Sequence, residues 1–181
     1  MDQVREKPWL AHYDPGVPPE IQVPDIPLWR FLEESARRCP QNVALEFLGK
    51  TLSYQELWGL ARRFAQGLKD LGVRPGDRVA IMLPNSPQFV IAFYGTLLAG
   101  GVGVNVNPLY TPRELRHQLA DAGAETLVIL DHLLPRYLEV EKEVPVKRVV
   151  VTGIKDFLPF PKNLLYPLKA KRDGLPLGFP K

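Results

Sequence analysis

At 181 residues the chain has room for one well-buried domain and little for a second, and its 45% hydrophobic content is ordinary for a globular fold. The formal net charge of +3 is unevenly placed: residues 155–181 carry six basic and two acidic side chains, leaving residues 1–154 at −1, which argues against a nucleic-acid footprint across the domain. A single cysteine, Cys39, excludes an internal disulfide and fits a reducing, cytoplasmic setting.

Residues 1–27 read as an extended arm, because Pro8, Pro15, Pro18, Pro19, Pro24 and Pro27 interrupt any regular element. Trp9 and Tyr13 predict that the arm docks on another surface, and its opening mix of charge, proline and tryptophan is no secretory signal. A helix is predicted from Leu28 to Arg38 with Leu28, Phe31, Leu32, Ser35 and Ala36 on one face. Val43–Phe47 and Thr51–Ser53 then read as a hairpin turning at Gly49-Lys50. Ser53-Tyr54-Gln55-Glu56 is a capping box that opens a helix with Leu57, Leu60, Ala61, Phe64, Ala65, Leu68 and Leu71 on its apolar face. Gly72 fits a left-handed cap, and Pro75-Gly76-Asp77 turns the chain into Arg78–Leu83, a run apolar enough for a strand covered on both sides.

The cycle then repeats. Pro84-Asn85-Ser86-Pro87 opens a helix that ends near Gly100, and a strand follows over Val102–Val106. The apolar stretch Phe89–Val104 is short for a bilayer span and carries four glycines, Tyr94 and Thr96, so it reads as buried helix plus buried strand. Thr111, Pro112 and Glu114 write out the start of the next helix as N-cap, first helical position and returning carboxylate, and Gly123 ends it. Thr126–Leu130, a short helix over Leu134–Glu143 and a strand at Val149–Val151 complete the series. Helix, glycine, buried strand and polar loop in alternation predict an α/β fold, a mostly parallel sheet flanked by helices with right-handed crossovers. From Ile154 the pattern fails at Pro159, Pro161, Pro167, Pro176 and Pro180, and residues 154–181 read as an irregular, basic, proline-rich segment cut off midway.

Two polar loops fall at the carboxyl ends of strands, where open α/β sheets hold ligands: Pro84–Pro87 and Asn107–Tyr110. Asn107, Tyr110 and Arg113 are the candidate cofactor-binding residues, although caps and turns account for both loops more simply. Arg113, Arg116 and His117 read as a solvated face, with a phosphate contact the lesser alternative. His12, His117 and His132 have no metal-ligand spacing, no serine or cysteine sits in a Gly-x-Ser-x-Gly elbow, and the glycines at 100–103 precede a strand instead of following one. The segment Phe157–Arg172 mixes aromatic, aliphatic and basic groups. It reads first as a loop packed on the rest of a larger protein, and second as a contact with an anionic membrane surface.

Several of these segments together resemble the N-terminal part of the adenylate-forming enzymes: Leu52–Leu57, Gly72–Ala80, Leu83–Phe89 and Leu98–Gly101. Asn105–Leu115 is similar to the corresponding stretch of bacterial long-chain fatty-acid–CoA ligases. The resemblance spans about residues 9–153 and implies ATP, Mg²⁺ and coenzyme A as cofactors, a long-chain fatty acid as substrate, a two-step ligase reaction and a candidate homodimer contact through the arm. It also implies that the glycine- and threonine-rich phosphate loop lies outside this sequence, so no catalytic residue is assigned and the chain alone is expected to be inactive and to bind no cofactor tightly. The alternative is a non-catalytic α/β module binding an acyl chain, a nucleotide or a protein.

Overall fold

In the computed structural model, residues 7–174 are described. Expectations for residues 1–6 and for Pro176, Pro180 and the final four residues lie outside them. The arm holds one 3₁₀ turn, Pro8–His12, and Trp9 and Tyr13, expected to dock it, are both exposed. Its prolines withhold backbone donors, and among its described residues an ion pair runs within the arm, from Lys7 to Glu20 at 2.6 Å.

Helix α1 (Trp29–Arg38) buries Leu32 alone; Leu28 and Phe31, expected on the same buried face, are exposed. Strands β1 (Val43–Phe47) and β2 (Lys50–Ser53) form an antiparallel hairpin of their own. Its turn lies one residue earlier than predicted, at Leu48-Gly49, where φ is +53° and +93°. Two successive left-handed residues match the twist of a two-residue hairpin, which sequence would rather assign to Asn-Gly.

The capping box of Ser53 and Glu56 opens α2 (Tyr54–Asp70), which buries Leu57, Ala61, Ala65 and Leu68. It packs along α3 (Pro87–Leu98), and the axes come close because Gly95 carries no side chain: a Cβ there would lie 2.7 Å from the Phe64 ring and 3.0 Å from the Ala61 carbonyl oxygen.

Strands β3 (Arg78–Met82), β4 (Val102–Asn105), β5 (Thr126–Leu130) and β6 (Arg148–Thr152) form one parallel sheet in the order β4-β3-β5-β6. Every residue of β5 is buried, as the uninterrupted apolar run requires. The chain leaves β3 toward β4, then passes back across β3 to reach β5. With right-handed crossovers this reversal puts α3, and α2 beside it, on one face of the sheet, and α4 (Pro112–Ala122) and α5 (Leu134–Leu138) on the other.

Two further elements depart from expectation. The helix predicted to Glu143 stops at Leu138 and tightens into i→i+3 bonds, Val140 N–H to Tyr137 O and Glu143 N–H to Val140 O, each 2.9 Å. Conversely, the segment expected to be irregular contains α6 (Lys162–Arg172), with Pro167 in its interior. Pro161 suits the entry to a helix, and buried Ala170 holds α6 on the body, which offsets the amide that Pro167 lacks.

Candidate functional site

The sequence placed its candidates in the loop after β4. Asn107 turns inward on its own backbone: its Oδ1 accepts the Leu109 N–H at 3.0 Å, and its carbonyl accepts the Tyr110 N–H at 3.1 Å. That geometry is an Asx turn. Arg136 of α5 closes the loop from below, its Nη1 donating to the carbonyls of Pro108 (2.7 Å) and Tyr110 (3.1 Å). Tyr110 is half-buried against the core, whereas Arg113 and His117 stand exposed and Arg116 pairs with Glu143 at 2.8 Å.

The start of α4 already holds a carboxylate. Thr111 N–H and Oγ1 donate to Glu114 Oε2 at 2.9 and 2.8 Å, while Thr111 Oγ1 accepts the Glu114 N–H at 3.4 Å. The Thr111 amide, and after it the hydroxyl, hold the Glu114 carboxyl below the ordinary carboxylate range. The resident carboxylate takes the Thr111 donors, and its charge opposes a second anion at this helix start. Asn107, Tyr110 and Arg113 share a neighbourhood, with Asn107 bonded within its own loop, Tyr110 half-buried and Arg113 exposed.

The crevice set by the strand reversal lies one strand away, between the carboxyl ends of β3 and β5. Its rims are the other predicted polar loop, Pro84–Pro87, and a 3₁₀ turn at Asp131–Leu133. Here the structure gathers polar groups of which sequence reading singled out only Ser86, within its loop. Ser86 is buried at the N-terminus of α3 yet does not cap it, and its Oγ has no partner among the described residues. Buried Gln88 donates from Nε2 to the Gly153 carbonyl at 2.9 Å, leaving Oε1 without a partner among them.

Asp131, also buried, accepts the His132 N–H at 2.8 Å. Gly153 approaches so closely that a Cβ would lie 3.0 Å from Asp131 Oδ2. Tyr166 of α6 is half-buried; burial and then the charge of Asp131 push its phenol upward. The group offers hydrogen bonds and one buried negative charge, and it joins α3, β5, β6 and α6. Only strand order and the placement of α6 bring these residues together, so no local pattern could have announced them.

A sequence model of the AMP-binding enzymes matches residues 32–176. The chain belongs to the AMP-binding enzyme family. It is 44% identical over 167 residues to a long-chain-fatty-acid–CoA ligase of Bacillus subtilis strain 168, covering 92% of this chain and 30% of that protein. A ligase of the same name from Yersinia pestis is 41% identical over 163 residues, covering 88% and 29%. The fold agrees with two solved relatives. A long-chain-fatty-acid–CoA ligase from Archaeoglobus fulgidus superposes with a TM-score of 0.68 at 27% identity, over 74% of this chain and 29% of that one. The apo structure of Mycobacterium smegmatis MbtA gives 0.68 at 35% identity, over 77% and 27%. The chain thus spans under a third of the length of these family members.

Proposed function

We propose that residues 28–153 are the first α/β subdomain of the AMP-binding domain of a long-chain fatty-acid–CoA ligase, preceded by an arm over 1–27 and followed by a basic segment over 154–181. In the intact enzyme a fatty carboxylate attacks the α-phosphate of ATP, forming an acyl-adenylate and releasing pyrophosphate. The thiol of coenzyme A then displaces AMP. Adenylation matters because a free carboxylate is a poor acyl donor. The observation that carries this reading is the 44% identity over 167 residues to the Bacillus subtilis ligase.

The subdomain contributes scaffold and a wall of the substrate region, while the groups that cradle phosphate and Mg²⁺ belong to other parts of the enzyme. That division is consistent with the self-capped α4, whose first turn already holds a carboxylate. A cytoplasmic setting and a homodimer contact through the arm belong to the same reading; the exposed Trp9, Ile21 and Val23 support the latter.

A segment swap tests the proposal. Residues 9–174 of this chain, replacing the aligned segment of the Bacillus subtilis ligase, should give a folded chimaera that forms acyl-CoA from fatty acid, ATP, Mg²⁺ and coenzyme A. The 181-residue chain alone should release no pyrophosphate. A folded chimaera without fatty-acid-dependent pyrophosphate release, or an isolated chain with it, would overturn the assignment.

A further inference from the structure

The turn between β1 and β2 is not the one its sequence favours. Gly49-Lys50 suits the two-residue turn that takes a glycine first, with Leu48 and Thr51 paired across it. No side chain would then sit on left-handed backbone. The structure instead turns at Leu48-Gly49, pairs Phe47 with Lys50, and holds Leu48 at φ +53°. A bulky residue in that region is strained and persists only where its surroundings over-determine it. Leu48 is 56% exposed, so packing of its own side chain contributes little to holding it there.

Side-chain alternation does not choose between the two pairings. In the slipped pairing Phe47 would oppose Leu52 instead of Lys50, a shift of two residues that keeps every side chain on its own face. Among the described residues the hairpin is a two-stranded sheet of its own, so a third strand does not fix its register either.

The segment after β6 lies against the observed turn. Lys162 Nζ donates to the Leu48 carbonyl at 2.9 Å and lies 3.8 Å from where a Gly49 Cβ would stand. Lys50 Nζ lies 5.4 Å from the centre of the Phe157 ring, at the end of a 3₁₀ turn over Ile154–Phe157. That turn is tied to the end of β6 through Asp156, whose Oδ2 accepts the Gly153 N–H at 3.0 Å. Both contacts belong to the observed pairing. After a slip, the Leu48 carbonyl would accept the Thr51 N–H across the new turn, and Lys50 would leave the strand to enter that turn.

We propose that the β1–β2 hairpin is a two-register element, and that the segment from Ile154 through α6 selects the observed register by holding Leu48 and Lys50. A selection of this kind requires contacts made to one state and not to the other, and these two contacts are of that kind. Release of the segment frees the hairpin to slip, so the turn and the chain beyond β6 change conformation together.

Nuclear magnetic resonance of the 181-residue chain tests this through the cross-strand contacts and the sign of φ at residue 48. The parent should show the Phe47–Lys50 pairing alone. K50M/K162M keeps the aliphatic stems and removes both cations. Loss of the charged hydrogen bond should shift the register ratio about tenfold, and loss of the cation–π contact about threefold. Leu48–Thr51 pairing, with a negative φ at Leu48, should then appear. Adding Leu48→Gly to that variant should restore the observed pairing, because glycine adopts left-handed backbone readily. Resonances of the four-stranded sheet should stay in place throughout, since Lys162 is exposed and Lys50 only half-buried. The Phe47–Lys50 pairing alone in K50M/K162M would overturn the proposal. So would loss of both pairings, since the segment would then order the hairpin without choosing its register. Slipped pairing that persists after Leu48→Gly would overturn it as well. No ligase step enters the measurement, so its failure leaves the ligase assignment standing.

Discussion

Gly95 carries more of the architecture than any single side chain near it. It lets α3 approach α2 until the Ala61 carbonyl lies 3.0 Å and the Phe64 ring 2.7 Å from where a Cβ would stand. Two effects oppose each other on Gly95→Ala. Alanine improves helix propensity by about 1 kcal/mol, whereas overpacking a fitted contact costs about 1–3 kcal/mol. The ring of Phe64 can swing away, but the carbonyl is backbone and moves only with the helix. Overpacking therefore wins, and G95A should lower the thermal midpoint by about 2–4 °C for each net kcal/mol lost. Combining it with Phe64→Leu removes the movable half of the clash and should recover part of the loss. An unchanged midpoint in G95A would mean that the two helices are not fixed at this separation.

The helix starts were the most legible elements, because their chemistry is local. Ser53-x-x-Glu56 and Thr111-x-x-Glu114 both form full capping boxes, and Gly123 adopts φ +59° at the end of α4. Leu48, by contrast, is left-handed without any sequence cue, and Arg136 closes the β4–α4 loop from an element 26 residues beyond Tyr110. The polar group around Asp131 was hidden for the same reason: it depends on the order β4-β3-β5-β6, which no local window contains.

The capping boxes also predict a pH dependence. In each box the backbone amide of the cap residue, followed by its hydroxyl, holds the glutamate carboxyl below its ordinary range. A carboxyl with a depressed folded pKa stabilises the fold above its unfolded value. That stabilisation fades as pH falls through the ordinary glutamate pKa of about 4.3 toward the lower folded value. E56Q/E114Q should therefore melt below the parent at neutral pH, and the gap should close under acid conditions below both values. A gap independent of pH would assign the effect to packing instead of charge.

At the scale of the molecule, the sheet is covered unevenly. Helix α3 overlies β3 and β4 with α2 beside it, and between α2 and the far strands an apolar cleft of about 420 Å³ runs past Phe64, Leu68, Ile91, Val128 and Val150. A monomeric domain seldom leaves such a surface open without use. The family members matched by this chain are more than three times the length of the matched segment, so in them a further layer has the material to cover this cleft. Val150 decides whether it does. It is half-buried on β6, where its side chain lines the cleft and also packs against the edge of the main core. If the cleft is a surface only in isolation, V150D should cost the 181-residue chain no more than about 1–2 kcal/mol, the range of a surface substitution plus one partly buried methyl pair. In the Bacillus subtilis chimaera the same change would place an unpaired carboxylate in a covered interface, where such burial costs several kcal/mol. The chimaera should then lose both thermal stability and acyl-CoA formation. Equal effects in the two contexts would show that the cleft faces solvent in the ligase as well, and that the layer above this sheet is built against another face.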